Sequence, residues 1–397
     1  MNLPTAYRRL WWATGIDNLG TGAFTAAVPL LTVTLTHDPR LVSFVSAAAY
    51  LPWLLLSLPA GALADRHDRA GLMWRAQAAQ AVLIAVTAVL AACGAISVPV
   101  LAVTAFGLGA GDVVFGTAAQ AILPDLVAKP LLLRANGRQQ AITTVTQQFA
   151  GPPLGSLLFG VAAALPFGLD AVSFAVSAVL VAKLPRRAGG ARPRSAIREG
   201  LAWLLRHRLL RTLAILVGVN TFCGQLATAT LVLLATQVVH LDARGYGLLL
   251  AGAALGSVLG GLVNARVVAR IGSRPALLTA LAANVAAFAG VGLSRDAMVL
   301  GAFLAVNGFV TTLWNIVTVG LRQELVPPAL LGRVTSAYRL LAWGLLPVGT
   351  LTGGLVAHGL GLRAPYLVAA AVRGLALVAA LPVLAGPLWT ESGQRRV

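Results

Sequence analysis

The chain has 397 residues, of which 58% are hydrophobic and only 11% are charged. Soluble domains carry roughly 25% charged residues, so this composition excludes a large soluble protein and favours a polytopic membrane protein. The formal net charge of +18 would also suit a nucleic-acid-binding protein, an alternative that depends on where the basic residues lie.

Long apolar segments recur along the whole chain. Each one is long enough to cross the ~30 Å hydrocarbon core of a bilayer as a helix, and none shows the strict alternation of a barrel strand. The sequence therefore predicts an all-α membrane protein with twelve transmembrane helices, of which the first is an uncleaved helix rather than a signal peptide. In chain order, the predicted spans cover residues 10–36, 41–64, 71–95, 97–119, 139–162, 165–184, 211–238, 246–270, 275–293, 297–321, 333–357 and 363–387.

The basic residues are concentrated on one side of this predicted topology. Of the 30 Lys and Arg residues, four lie in the external loops (Arg40, Arg244, Arg295 and Arg363), Arg373 lies within a span, and the other 25 lie on the side of the termini. Cytoplasmic loops carry such an excess. The distribution predicts a plasma-membrane protein with both termini in the cytoplasm, and it argues against nucleic-acid binding.

The two halves of the chain are similar to each other. At offsets of 199 to 203 residues, Asp125-Leu126-Val127 matches Glu324-Leu325-Val326, and Gly155 matches Gly354. This repeat predicts two parallel six-helix repeats around a central cavity, which is a transporter architecture. The predicted domains are residues 1–184 and 211–397, joined by a basic cytoplasmic linker, 185–210. Within the linker, residues 195–206 are either an amphipathic surface helix or part of a simple tether.

Three motifs resemble those of the major facilitator superfamily. GALADRHDR, residues 61–69, is similar to its signature turn between the second and third helices, and ARVVARIGSR, residues 265–274, is a degraded second copy. GPPLG, with Gly151, Pro152 and Gly155, resembles a motif of the exporters in that superfamily, although Ser156 replaces a usual glycine. The fourth span also departs from many proton antiporters of the superfamily, because its main charge is an acid.

Shorter segments resemble one branch of that superfamily, which contains enterobactin exporters and macrolide efflux proteins. They are Leu-Pro-Trp at 51–53, Leu-Pro-Asp-Leu-Val at 123–127 and Arg-Gln-Glu-Leu-Val-Pro at 322–327. The resemblance implies a conformational latch on the inner side of the membrane. The alternative is that the basic residues of the signature turn only anchor the topology. The residues of the expected latch are Gly61, Asp65, Arg66, Arg69, Glu324 and Arg333.

Two acids lie at middle depth in predicted spans, where ionisable residues are costly and usually functional. Asp17 and Asp112 are the candidates for proton coupling, or for attracting a cationic substrate; the alternative is a structural hydrogen bond. Asp112 is the preferred proton carrier. It follows the glycine-rich stretch 107–111, and its counterpart in the second repeat is Thr311, whereas Asp17 has the similar Asn220. Asp170 and Arg373 are expected to form structural pairs.

Polar residues form stripes at helical spacing on spans one, seven and ten, which the resemblance places around the cavity. A wet path for a solute and simple contacts between helices are both compatible with such stripes. We favour the cavity for the pattern as a whole. The candidate substrate-binding residues are Asn18, Thr21, Asn220, Gln225, Asn307, Thr311, Trp314 and Asn315.

Motifs for other functions are missing from the sequence. There is no Walker A loop, H-E-x-x-H, C-x-x-C or G-x-S-x-G motif, so we expect neither an ATPase nor another enzyme, and no cofactor or metal site. The sequence predicts a monomeric secondary exporter of an amphipathic organic compound (a macrolide, another drug or a siderophore) in exchange for protons across the lipid bilayer. An importer or uniporter of a small metabolite, and a lipid translocator, are the alternatives.

Overall fold

The computed structural model describes residues 3–185, 197–327, 330, 334–335, 338 and 343–386. Within these residues the chain is helical and contains no strand. It divides into two compact units. The described residues up to 185, together with Leu241–Ala251, form the N-terminal unit, and the other described residues form the C-terminal unit. The domain boundaries predicted at 184 and 211 stay a prediction, because residues 186–196 are outside the described part.

Seven α-helices build the N-terminal unit. A π-helical turn, Thr144–Ala150, joins the fifth to the sixth. The helices are α1 (Thr5–Leu35), α2 (Pro39–Arg66), α3 (Arg69–Ala92), α4 (Val98–Leu126), α5 (Leu132–Thr143), α6 (Gly151–Phe159) and α7 (Leu165–Ala182).

The described second half contains eight α-helices. The first turns of α11 group with the N-terminal unit. The helices are α8 (Ile197–Arg206), α9 (Arg208–Thr228), α10 (Leu231–Leu233), α11 (Ala243–Ile271), α12 (Ser273–Leu293), α13 (Ala297–Leu325), α14 (Leu346–Leu360) and α15 (Ala364–Leu384).

Ten helical segments of the described chain are long and apolar enough to cross a membrane, which confirms the all-α polytopic membrane class. Two predicted spans are missing from the ten. The fifth is divided by the π-helical turn. Only the 15 residues of α14 represent the second half of the eleventh, because much of residues 331–342 is outside the described part. The count of twelve therefore stays a prediction at these two positions.

The seventh predicted span is interrupted rather than continuous. At Thr230 the backbone leaves the helical region, with φ −109° and ψ 3°, and the Thr230 hydroxyl donates a hydrogen bond to the Ala227 carbonyl (3.2 Å). Threonine side chains offer the backbone such local alternatives to a helix. The span thus ends as α10 and a π-helical turn, Leu234–Val238.

The GPPLG glycines let α6 pack directly on α1. A Cβ atom added at Gly155 would lie 2.2 Å from the Ala23 carbonyl oxygen. In the C-terminal unit, a Cβ at Gly353 would lie 2.2 Å from the Leu226 carbonyl oxygen, so α14 and α9 repeat this contact. The repeated glycine is Gly353, one residue before the Gly354 matched in the sequence. Because both units have the contact, it belongs to the shared scaffold.

Two apolar clusters fill the N-terminal unit, and polar residues separate them on three helices. One cluster includes Ala13, Met73 and Phe115, and the other includes Phe24 and Ile84 from the following turns of α1 and α3. The helix turns between the clusters carry Asp17, Gln77, Gln80 and Asp112 of the candidate site, whereas Asp170 on α7 lies within the second cluster.

Candidate functional site: a buried acidic cluster

Three carboxyl groups lie in the interior of the N-terminal unit, on α1, α4 and α7. Asp17 is 5% exposed and Asp170 is fully buried, whereas Asp112, midway along α4, is partly exposed. Asp170 lies close enough to Asp17 and Asp112 to interact with both electrostatically. The two acids predicted from the sequence are therefore joined by a third, which the sequence had suggested only as a structural residue.

Two buried glutamines of α3 complete the cluster. Gln80 donates a hydrogen bond to Asp112 Oδ1 (2.9 Å) and another to the Leu108 carbonyl (3.0 Å). Gln77 lies beside Asp17, but neither polar atom of its amide has a hydrogen bond of standard geometry within the described structure. Both glutamines are at least 98% buried. Sequence reasoning missed them, although two amides one turn apart in a membrane span are a signal that could have found them.

Glycines bring these helices close together. A Cβ at Gly20 of α1 would lie 2.4 Å from Asp170 Oδ1, and a Cβ at Gly111 of α4 would lie 2.2 Å from Gln80 Cδ. The glycine-rich stretch before Asp112 thus provides the close helix contacts expected of small residues in membranes. These contacts position Asp112 against Gln80.

The acidic cluster has no basic partner among its described contacts. The groups that interact with the three carboxyls are one another, Gln77, Gln80 and Ser173. One oxygen of Asp17 and one of Asp170 are buried without a hydrogen bond in the described structure. Burying several like charges without a counter-charge is very unfavourable. An arrangement of this kind is chemically suited to binding a proton.

The C-terminal unit contains one buried arginine with a set of asparagines on the corresponding helices. We call this set the basic cluster; it consists of Arg373, Asn220, Asn284 and Asn307. Arg373 of α15 is 7% exposed; it donates hydrogen bonds to Asn284 Oδ1 and to the Asn220 carbonyl (2.8 Å to the latter). Its guanidinium lies 3.8 Å from the ring centre of Phe288. Asn284 also donates to Asn307 Oδ1 (3.0 Å). Arg373 is therefore held by one side-chain amide, a carbonyl and an aromatic ring. Of the predicted cavity residues, it contacts Asn220 directly and is linked to Asn307 through Asn284.

The other predicted cavity residues have different environments. Asn18 donates to the Thr14 carbonyl of its own helix (2.7 Å), and Thr21 accepts from Thr25 through its carbonyl (2.8 Å). Trp314 is only 7% exposed and lies in the apolar core of the C-terminal unit. Its expected place on a wet surface is wrong, because its ring packs among leucines and valines. Thr311 and Asn315 are exposed, and Gln225 is half-buried.

The signature turn is held by an ion pair that the sequence did not predict. Arg69 Nη1 lies 2.5 Å from Asp125 Oδ2 at the end of α4, and it also donates to the Ala121 carbonyl (3.1 Å). The observed partner of Arg69 is thus an acid of α4, outside the turn. Asp68 instead caps α3 by accepting from the Gly71 amide (3.0 Å), a role that aspartate commonly has at helix starts.

The expected latch is only partly visible. The side chain of Asp65 and all of Arg333 lie outside the described residues. Within the described structure, a Cβ at Gly61 would meet no atom within 4 Å, so this glycine makes no close contact with a neighbouring helix there. Arg66 and Glu324 are exposed. The latch stays a prediction.

Comparison with known proteins agrees with this architecture. The profile of a family described as transmembrane secretion effector matches residues 3–392. The multidrug efflux pump Tap of Mycolicibacterium fortuitum is 28% identical over 368 residues, which cover 88% of each chain.

Two solved structures show the same fold. A bacterial homologue of the iron transporter ferroportin, in an inward-facing state, matches with a TM-score of 0.75 and 18% identity over 97% of this chain and 100% of that one. The nucleoside transporter NupG matches with a TM-score of 0.69 and 12% identity over 94% and 98% of the two chains. The chain therefore belongs to the transmembrane secretion effector family of the major facilitator superfamily, and it is a membrane transporter rather than an enzyme.

Proposed function

We propose that this protein is a secondary active exporter that moves an amphipathic organic compound out of the cell in exchange for protons, by alternating access. The observation that carries the proposal is the buried cluster of Asp17, Asp112 and Asp170 without a basic partner among its described contacts. The direction of transport is supported by the relative named as a multidrug efflux pump.

Asp112 is the residue that we propose to bind and release the proton. It is the one acid of the three that is partly exposed, so a proton can reach it. Gln80 holds one of its oxygens at 2.9 Å and leaves the other oxygen available for protonation. Protonation removes one negative charge from the cluster, and this change favours one arrangement of the helices over another. Asp17 and Asp170 do not exchange the proton in this scheme. Their electrostatic interaction with Asp112 changes when Asp112 is protonated.

The charges of the two clusters favour a neutral or cationic substrate. The N-terminal cluster offers carboxyl groups, while the guanidinium of Arg373 is already engaged by Asn284 and the Asn220 carbonyl. A macrolide or a lipophilic cation fits this pattern better than an anionic siderophore. An importer on the same fold would have the same acids, so the direction has to be measured.

We place the protein in the plasma membrane with both termini in the cytoplasm, and we expect a monomer. Because the native Cys93 is exposed, the test uses a protein with Cys93 and Cys223 replaced by serine. In this background, a cysteine introduced at Arg295 or Arg363 should react with an impermeant maleimide in intact cells, and one at Arg192 should not. The bias of the basic residues motivates this expectation. Labelling of a cysteine at position 192 from outside the cell would contradict the proposed orientation.

The signature turn is proposed to act as a latch of the inward-closed state. Asp65 is the next-to-last residue of α2, at the end of the helix that lies at the membrane surface, where a charge change has a small folding cost. Asp65→Asn should therefore leave the protein folded in the membrane and reduce transport strongly. His67→Gln, at an exposed position of the same turn that is not part of the expected latch, is the control and should transport as the wild type. Normal transport by the Asp65→Asn protein would refute the latch.

Transport into proteoliposomes tests the function directly. Vesicles that are acidic inside should accumulate tetraphenylphosphonium, a cation whose charge does not depend on pH, and an ionophore that dissipates the pH difference should abolish the accumulation. Protein-free vesicles provide the background. A fluorescent phospholipid assay on the same vesicles tests the alternative function. Lipid movement without a pH difference, in the absence of cation accumulation, would favour lipid translocation and contradict the exporter.

A further inference from the structure

A cavity of about 800 Å³ lies in the N-terminal unit where α1 begins and α5 passes into the π-helical turn. It is separate in sequence from the acidic cluster, and no step proposed above uses it. Its lining combines aromatic rings with two arginines. The lining residues used below are Tyr7, Arg8, Trp12, Arg138, Ile142 and Val145.

Two long-range hydrogen bonds fix the walls of this cavity. The Tyr7 hydroxyl donates to the Ala135 carbonyl of α5 (2.9 Å), and the Trp11 indole donates to the Arg138 carbonyl (3.2 Å). The rings of Trp11 and Trp12 pack edge to face at 4.8 Å. The cavity is therefore built by contacts between helices that are more than a hundred residues apart in sequence.

The charge in the cavity is positive and not neutralised. Arg8 and Arg138 are both exposed, and neither forms an ion pair with a carboxylate of the described chain. The remaining wall is apolar: Val145 is 52% exposed and Trp12 is 53% exposed. A ligand that fits must offer an anionic group to the arginines and an apolar body to the rest.

The position of the cavity along α1 points to a lipid. The first turns of the transmembrane helix α1 are rich in basic and aromatic residues, including Tyr7, Arg8 and Trp12. Tyr and Trp side chains near the end of a transmembrane helix lie at the level of the lipid headgroups. Basic clusters at that level attract anionic headgroups. We propose that this cavity is a binding site for an anionic phospholipid, with its phosphate between Arg8 and Arg138 and one acyl chain along Trp12, Ile142 and Val145.

Quenching of tryptophan fluorescence by brominated lipids tests this site in the full-length protein. Proteoliposomes of phosphatidylcholine receive increasing amounts of brominated phosphatidylglycerol or, separately, brominated phosphatidylcholine. The wild-type protein should bind the brominated phosphatidylglycerol in preference to the brominated phosphatidylcholine. Each arginine should raise the relative affinity by at most about fivefold. Trp12→Phe should remove most of the preferential quenching, because that residue is the exposed reporter in the cavity.

Charge-matched double variants distinguish binding of the lipid in the cavity from non-specific attraction of anionic lipids to the basic surface of the protein. The Arg8→Gln, Arg138→Gln protein should lose the preference, and Arg8→Lys, Arg138→Lys should keep most of it. The control Arg134→Gln, Arg208→Gln removes the same charge at two exposed positions outside the cavity and should behave as wild type. Equal loss in the control, no preference in the wild type, or full quenching in Trp12→Phe would each overturn the proposal.

Discussion

The acidic cluster of the N-terminal unit and the basic cluster of the C-terminal unit occupy equivalent positions in the sequence repeat. The paired residues are separated by 199 to 204 positions and lie on corresponding helices of the two units. The pairs are Asp17 and Asn220, Gln80 and Asn284, Asp112 and Thr311, and Asp170 and Arg373.

Their chemistry differs although their scaffold is the same. In the N-terminal unit, an amide of α3 binds an acid of α4, Gln80 to Asp112. In the C-terminal unit, Asn284 of α12 binds Asn307 of α13 and also accepts from Arg373. An arginine stays charged at every physiological pH, whereas a carboxyl group can take up a proton. On this basis we propose that proton exchange takes place in the N-terminal repeat, while the C-terminal repeat holds a fixed charge.

The largest expected effect is that of Asp112→Asn. A permanently neutral side chain corresponds only to the protonated state, so accumulation driven by a pH difference should fall to that of protein-free vesicles. Exchange of labelled for unlabelled substrate across the vesicle should continue. The test compares both activities in one preparation, and uphill accumulation by the Asp112→Asn protein would remove this acid from the coupling mechanism.

A matched pair of glycine substitutions tests whether the two units share one scaffold. Gly155→Ala and Gly353→Ala each place a Cβ 2.2 Å from a backbone oxygen of the neighbouring helix. Both should therefore destabilise the protein by about 3 kcal/mol, as overpacking does. Thermal unfolding in detergent measures the two together. If only Gly155→Ala has an effect, the GPPLG segment has a role of its own and the comparison between the units fails at this contact.

Substitutions at the repeat-related positions of α7 and α15 should have opposite consequences. Arg373→Gln leaves the Asn220 carbonyl without its donor and should cost about 1–3 kcal/mol of stability, while the dependence of transport on pH stays as in the wild type. Asp170→Asn removes an acid from a cluster that lacks a basic partner in its described contacts, and it should leave stability unchanged or raise it. A larger loss of stability in Asp170→Asn would contradict the assignment.

The smallest expected effect is that of Asp17→Asn. The repeat places Asn220 at the equivalent position, which indicates that an amide is compatible with this place in the helix. Transport should become severalfold weaker while its dependence on the imposed pH difference is kept. Initial rates at several pH differences decide the matter; loss of the dependence would mean that Asp17, rather than Asp112, exchanges the proton.

Much of the fold could be predicted from the sequence because its signals are local. Apolar length predicted the membrane helices, and the GALADRHDR and GPPLG segments indicated the superfamily. The break at Thr230 was missed because it depends on the backbone and a single hydroxyl, whereas the apolar pattern runs through it.

The site could be predicted only in part because it joins helices that are far apart in sequence. Asp17 and Asp112 were found as isolated charges in apolar spans. The contribution of Asp170 could not be found this way, since it requires the packing of α1 on α7 at Gly20. The ion pair of Arg69 could not be predicted for the same reason, because its partner Asp125 is 56 residues away. The burial of Trp314 could not be predicted either, because it depends on which face of its helix packs in the core.

Proton movement driven by substrate tests the central claim most directly. Proteoliposomes containing a pH-sensitive dye receive an outward gradient of tetraphenylphosphonium, and the dye reports protons that enter as the cation leaves. The wild-type and Arg373→Gln proteins should acidify the interior, and Asp112→Asn should not. If Arg373→Gln abolishes the proton movement while Asp112→Asn preserves it, the proton is not carried by the N-terminal acids.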